Sequence, residues 1–245
     1  MDVRDKVVIV AGGFGSLGTV VTSSLLERGA KIAVIDAQAA PPDAPPDVVA
    51  IHAELADEQA VSVALDRVVS KFGKISVLVN CAGLIHSEPL VNLTNPEQRR
   101  HAFHAWESVI RSNLTAAFVI SAHVAERMAA SRTKGAIINF SSIAANGNPG
   151  QTAYAAAKAG VEAMTKVWAR ELGPLGIRTV AIAPGFVATA STQAAMPEAA
   201  LSDLKRRTPL LRLAKPAEIA SAVIFAIEND FITGTTLAVD GGLVL

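Results

Sequence analysis

The stretch Val7-Val8-Ile9-Val10-Ala11-Gly12-Gly13-Phe14-Gly15-Ser16-Leu17-Gly18 decides the fold of this 245-residue chain. A short β-branched run reads as a buried strand, and the segment Leu17–Arg28 has helical period. Between them Gly13, Gly15 and Gly18 make a G-x-G-x-x-G turn. The pattern alone is weak, but its place between a strand and a helix gives it weight. Such a turn lets backbone approach a pyrophosphate, whose charge then sits on the positive end of the helix. A glycine-rich turn without a ligand is the plain alternative. A P-loop is excluded, because no Gly-Lys-Ser/Thr follows.

Outward from this unit, apolar runs alternate with longer Ala-rich segments. The runs are Val7–Val10, Ile32–Ile35, Val48–Ile51, Val77–Val79, Ala136–Phe140, Thr179–Ile182 and Thr235–Val239. Several are apolar throughout, as strands covered on both faces must be. The helical segments are about Leu17–Arg28, Glu58–Phe72, Phe103–Ala130, Thr152–Leu172 and Ala217–Ile227. This alternation predicts an α/β fold, a Rossmann-like doubly wound parallel sheet of about seven strands with helices on both faces. Residues 1–245 read as one domain. Two stretches break the rhythm. Pro41-Pro42-Asp43-Ala44-Pro45-Pro46 reads as a stiff spacer. Ala188–Lys215 lacks strand character and reads as a substrate lid with short helical pieces.

Composition narrows the class. The chain is 51% hydrophobic and 18% charged, with 22 basic and 22 acidic residues. A net charge of zero gives no support for a nucleic-acid or anionic-membrane partner. There is no apolar run of 18 residues and no signal peptide, so no membrane association is expected. Cys81 is the one cysteine, which excludes an intramolecular disulfide and suits a reducing cytoplasm. The five histidines show no ligand spacing with cysteine or a carboxylate, and no metal is expected.

Two further features carry chemistry. The second strand ends at Asp36, 18 residues beyond Gly18. A carboxylate there accepts hydrogen bonds from adenosine ribose hydroxyls and repels a 2′-phosphate. No Arg or Lys lies in Phe14–Leu17 or Ala37–Ala40, so NAD is expected over NADP. An ordinary surface Asp is the alternative. The only tyrosine, Tyr154, has Lys158 four residues on, so both face the same way on a helix. A cation ~4 Å from the phenol, at an effective dielectric of ~20, is worth about 4 kcal/mol. That moves the phenol down by about three units and makes it a proton donor near neutral pH.

Together these residues resemble the short-chain dehydrogenase/reductase family in its single-domain form. The family's Thr-Gly-x-x-x-Gly-x-Gly maps to Ala11–Gly18, with Ala11 for the Thr and Ser16 for the middle Gly. Asn80-Cys81-Ala82-Gly83 is similar to the family's Asn-Asn-Ala-Gly. Glu54-Leu55 takes the place of Asp-Val near the adenine. Asn113 matches the helix asparagine, and Pro184-Gly185-Phe186-Val187-Ala188-Thr189 matches Pro-Gly-x-x-x-Thr. Gly234 to Gly242 fits the last strand. The resemblance implies that Tyr154 and Lys158 are catalytic, Tyr154 protonating an alkoxide and Lys158 binding the nicotinamide ribose. It implies that a serine holds the substrate oxygen. Spacing to the tyrosine selects Ser141, whereas Asn139-Phe140-Ser141-Ser142 counted from the strand selects Ser142, which is preferred here. Asn113 would hold a water behind Lys158. An NAD cofactor would lie on Gly12, Phe14, Gly15, Ser16, Leu17, Gly18, Asp36, Glu54, Leu55, Asn80, Ala82, Gly83, Tyr154, Lys158, Pro184, Gly185, Val187 and Thr189.

The substrate would lie among Ser142, Ile143–Gln151, Phe186 and Met196, a mostly apolar or small set. Gln151–Lys166 and Ile182–Val187 resemble 3-oxoacyl-thioester reductases of the family, and Ile232–Asp240 its 3-hydroxyacyl-CoA dehydrogenases. The expected reaction is NAD-dependent hydride transfer with a secondary alcohol or ketone. Alternatives are an NADP-preferring ketoreductase and a non-catalytic dinucleotide sensor. An extended epimerase is disfavoured, since only 61 residues follow Pro184. Cys81 reads as a packed residue, His86 as a surface residue, and His101 and His104 as solvated or at a subunit contact. The resemblance also implies a homotetramer packed through Phe103–Ala130 and Thr152–Leu172.

Overall fold

The computed structural model describes residues 1–245, the side chain of Ala195 apart. Seven parallel strands form one sheet: β1 (Val7–Ala11), β2 (Lys31–Asp36), β3 (Val49–His52), β4 (Val77–Asn80), β5 (Gly135–Phe140), β6 (Ile177–Pro184) and β7 (Thr235–Val239). Their order is β3-β2-β1-β4-β5-β6-β7. The connection reverses direction between β1 and β4, which opens a crevice at the carboxyl ends of the strands. All five residues of β1 are buried. Val8 and Val10 join one apolar layer, and Val7, Ile9 and Ala11 join the other. That two-sided burial is why the inner strands read as unbroken apolar runs.

Helices α1 (Ser16–Glu27) and α8 (Pro216–Glu228) pack together on one face. The other carries α2 (Glu58–Phe72), α3 (Phe103–Ile110), α4 (Ala116–Ala130) and α5 (Thr152–Leu172). Local chemistry sets the ends. Asp57 caps α2 by accepting the Ala60 amide at 2.9 Å, and Glu218 accepts the Lys215 amide at 2.7 Å ahead of α8. The segment Phe103–Ala130, expected as one helix, is interrupted by a π turn over Arg111–Thr115. Its extra residue places Asn113 on the buried side. The stretch expected as a lid holds α6 (Ala190–Ala195) and α7 (Glu198–Arg207). Leu201, Leu204 and Leu213 from it pack on Ile143 and Leu243.

A buried polar chain ties sheet to helices. Asn80 Nδ2 donates to Ser121 Oγ at 2.9 Å and to Asn139 Oδ1 at 2.8 Å. Asn139 Nδ2 donates to Thr165 Oγ1 at 2.9 Å, and Thr165 Oγ1 donates to the Val161 carbonyl at 2.8 Å. The chain links β4 and β5 to α4 and α5. Thr165→Val keeps the shape and orphans the Asn139 amide. We expect a loss of about 1–3 kcal/mol in unfolding free energy, read from the urea midpoint. An unchanged midpoint would show that the chain does not stabilise the fold.

Candidate active site

The crevice between β1 and β4 widens into a cleft of about 390 Å³ whose lining includes Gly12, Gly15, Asp36, Glu54, Leu55, Ala82 and Gly83. Gly18 closes its floor, since a Cβ there would collide with the Gly12 carbonyl. Gly15 is the N-cap of α1 and makes no side-chain cap, so the first amides of the helix remain for an anion. Phe14 and Leu17 turn away and pack against the apolar layer beneath. Ser16 Oγ lies 3.2 Å from Ser191 Oγ, joining the glycine-rich turn to α6.

Asp36 is buried at the end of β2. Its Oδ2 accepts the Phe14 amide at 3.0 Å and its Oδ1 accepts the Gln38 amide at 2.9 Å. One carboxylate therefore fixes both turns that frame the cleft. Each oxygen keeps a further acceptor position. Gln38 and Arg111 also line this cleft and were not anticipated. Arg111 stands in the π turn, next to the anticipated Asn113, and no spacing rule connected it to Asp36.

At the other end stands Tyr154, in the first turn of α5, with Lys158 one turn later on the same buried side. Lys158 Nζ donates to the Phe140 carbonyl at 2.8 Å and lies 5.6 Å from the centre of the Tyr154 ring. Burial pushes this ammonium down to about 8. Burial also raises the Tyr154 phenol above its ordinary value, and the neighbouring Ser142 hydroxyl opposes that rise. This corrects the expectation of a phenol lowered by about three units. That argument counted the cation and left out desolvation, which is the larger effect here. Cys81, between Lys158 and Asp36, has its thiol raised by burial, which fits a packed residue.

The two candidate serines part company, as neighbours at a strand end do. Ser142 is beside the phenol, and its Oγ accepts the Ala144 amide at 3.1 Å. Ser141 faces α5 and donates to Glu162 Oε1 at 2.7 Å. Asn113 Nδ2 donates to the carbonyls of Leu84 at 2.8 Å and Val109 at 2.9 Å. Its Oδ1 is buried without a partner among the described residues and points at Gly83, where a Cβ would strike it. Lys158 Nζ would be 3.5 Å from that same Cβ.

The remaining expected contacts lie at the edges. Asn80 has its amide committed inside the sheet rather than toward the cleft. Pro184 ends β6, and the Gly185 amide donates to the Val239 carbonyl at 3.0 Å. Val187 bridges Ala214, and Thr189 caps α6 by accepting the Thr192 amide at 3.1 Å. The donors, acceptors and close-approach turns of the cleft fit a dinucleotide.

Comparison with known proteins gives the same picture. Residues 12–244 match the family model described as enoyl-(acyl carrier protein) reductase. The chain is 35% identical to a 3-oxoacyl-[acyl-carrier-protein] reductase, FabG, of Thermotoga maritima, with all of both chains covered. It is 33% identical to the (3R)-3-hydroxyacyl-CoA dehydrogenase of Homo sapiens, covering 99% of this chain and 97% of that one. Among solved structures, the ligand-free aldohexose dehydrogenase of Thermoplasma acidophilum superposes with a TM-score of 0.88 at 30% identity, covering 99% and 95%. With a parallel seven-stranded sheet, a crevice at its switch point and full-length relatives of this kind, the chain belongs to the short-chain dehydrogenase/reductase family of oxidoreductases.

Proposed function

We propose that this protein is an NAD-dependent oxidoreductase acting on a secondary alcohol or ketone of the 3-hydroxyacyl/3-oxoacyl type. The observation that carries the reading is the gathering of Tyr154, Lys158 and Ser142, with Asn113 Oδ1 aimed at Gly83 of the cleft lining. The nicotinamide, when bound, supplies or accepts the hydride. In reduction Tyr154 gives its proton to the substrate oxygen, and in oxidation it takes that proton back. Ser142 donates to the same oxygen as charge develops on it. Lys158 holds a positive charge that favours phenolate and offers donors to the ribose. The free Asn113 Oδ1 is suited to hold a water that resupplies the proton.

Substrate type follows from the walls. Ile143, Phe186, Ala188, Met196 and Leu245 belong to one apolar cluster beside Ser142. That surface favours an acyl chain, as do the names of the two curated relatives. The same reading has α6 and α7 acting as a lid. It also has the protein working in the cytoplasm as a homotetramer packed through Phe103–Ala130 and Thr152–Leu172, where Phe118 and Val167 are half exposed.

For the cofactor, Asp36 supports NAD, while Arg111 is the one cation lining the cleft and is the group an NADP preference would rest on. Wild-type protein should therefore give a higher kcat/KM with NAD, and Asp36→Ala should shift the ratio toward NADP by more than about tenfold, roughly 1.4 kcal/mol. Faster turnover of the wild type with NADP would refute the Asp36 argument. Tyr154→Phe should keep NADH binding, read by fluorescence, and lose turnover by a factor of about 10²–10⁴. Turnover retained in that variant would exclude the proposed acid.

Lys158 also has a signature in stability. Its native value of about 8 lies below the ordinary 10.5, so burying the charge opposes folding by about 3 kcal/mol below pH 8. Between about 8 and 10.5 the unfolded chain still holds the proton that the native site has released. Native stability from this group therefore rises with pH across that window. The stability difference between Lys158→Met and wild type should shrink over the same range, measured by denaturation at stepped pH. A difference independent of pH would contradict a cation buried at neutral pH.

A further inference from the structure

The connection from β4 to α3 doubles back on itself. Val91 and Arg100 form an antiparallel bridge, and the His101 amide donates to the Leu90 carbonyl at 3.0 Å. The return brings His86 and Glu88 of the outgoing arm against His101 of the incoming one. His86 Nε2 is 3.2 Å from Glu88 Oε2, and His101 Nδ1 is 3.8 Å from the same oxygen. One ligand atom from each residue lies within 4.8 Å of the other two. The imidazole rings meet edge to face, 5.8 Å between centres at 87°.

Hydrogen bonding inside the cluster leaves a remainder. His101 Nδ1 donates to the Glu88 backbone carbonyl at 3.0 Å, so in the neutral ring Nε2 carries the lone pair. That Nε2 is buried with no partner among the described residues, in a side chain only 8% exposed. A buried acceptor without a partner costs about 1–3 kcal/mol, so it demands an explanation. Glu88 Oε2 also accepts the Ala102 amide at 3.0 Å, and the recorded side-chain contacts of this carboxylate all use Oε2. His86 and Glu88 are partly open to solvent, at 39% and 21%, which leaves room for water to complete a coordination sphere.

We infer that His86, Glu88 and His101 form a binding site for a divalent cation of the zinc or cobalt class. Two imidazoles and one carboxylate are the donor set such borderline ions prefer over magnesium or calcium. Ligand atoms on a tetrahedral ion at ~2.0–2.1 Å lie roughly 3.4 Å apart; His86 Nε2 stands 3.2 Å from Glu88 Oε2, and one ligand atom from each of the three residues lies within 4.8 Å of the others. An imidazole with one nitrogen donating to a backbone carbonyl and the other free is also the usual state of a metal-bound histidine. Sequence spacing hid this grouping: 13 residues separate Glu88 from His101, and only the loop's return joins them. The inference departs at these three residues from the expectation of no metal.

The site has a position that gives it a use. The Glu88 amide donates to the Gly150 carbonyl at 2.7 Å, and Gln151 Nε2 donates to Ser87 Oγ at 3.2 Å. Gln151 immediately precedes α5, three residues before Tyr154. A cation here clamps the two arms of the loop and, through these bonds, steadies Gly150 and Gln151 at the start of α5. The inference does not depend on which alcohol is oxidised.

The test uses full-length protein without a histidine tag, freed of metal by chelator and titrated with cobalt(II). Visible ligand-field absorption should saturate at one ion per chain. His101→Ala and the partly exposed His86→Ala should each weaken binding by more than about tenfold, whereas His104→Ala, exposed and outside the cluster, should not. Circular dichroism on each variant separates lost ligation from lost fold, with His86→Ala as the variant least able to disturb packing. Absence of saturable absorption in the wild type, or binding unchanged in a folded His86→Ala, would overturn the site.

Discussion

The ammonium of Lys158 is held in the interior, 2.8 Å from the Phe140 carbonyl at the carboxyl edge of the sheet. A buried cation without full solvation is expensive, and its surroundings are arranged around that expense. The strand end supplies a carbonyl, the π turn delivers the Asn113 amide oxygen nearby, and the phenol of Tyr154 lies one helical turn away. Low hydration also makes the charge felt strongly by its neighbours. The same burial that lowers the lysine raises the tyrosine, so the pair rests with a phenol rather than a phenolate. An added positive charge, such as oxidised nicotinamide, is the kind of perturbation that reverses this.

Holding that cation requires the strand ends to stay in register. The chain of amides and hydroxyls from Asn80 through Asn139 to Thr165 does this from below. It joins the two central strands to helices on one face, where apolar packing alone would permit sliding. Asp36 performs a similar task at the other end of the crevice, accepting from Phe14 and Gln38. Its two bonds shape the turns on either side of this end of the cleft.

Most of the framework was legible in the sequence because both signals are strong: unbroken apolar strands and glycine turns at strand-to-helix junctions. Ser142 rather than Ser141 stands beside Tyr154, a placement set by the strand's alternation, whereas the following loop does not fix length. Other features were out of reach for physical reasons. A π turn leaves the apolar periodicity of a long helix almost unchanged, so Arg111–Thr115 read as α-helix. The ionisation of Tyr154 depends on how deeply it is packed, which no spacing reveals. The meeting of Glu88 with His101 depends on a loop that returns through a single bridge.

The π turn also has a consequence for how this chain tolerates change in length. Each residue of an α-helix advances about 100° around the axis. Trp106 and Val109, upstream of the turn, pack with Ala153 and Tyr154. Removing one residue from Arg111–Thr115 would relax the turn to ordinary helix and rotate everything before it by about that angle. Trp106 and Val109 would swing off the helix that carries the tyrosine, although no side chain in contact with it had been altered. Here the count of residues is itself a structural quantity, stricter than the identity of most of them, while the Pro41–Pro46 spacer has no such phase to keep.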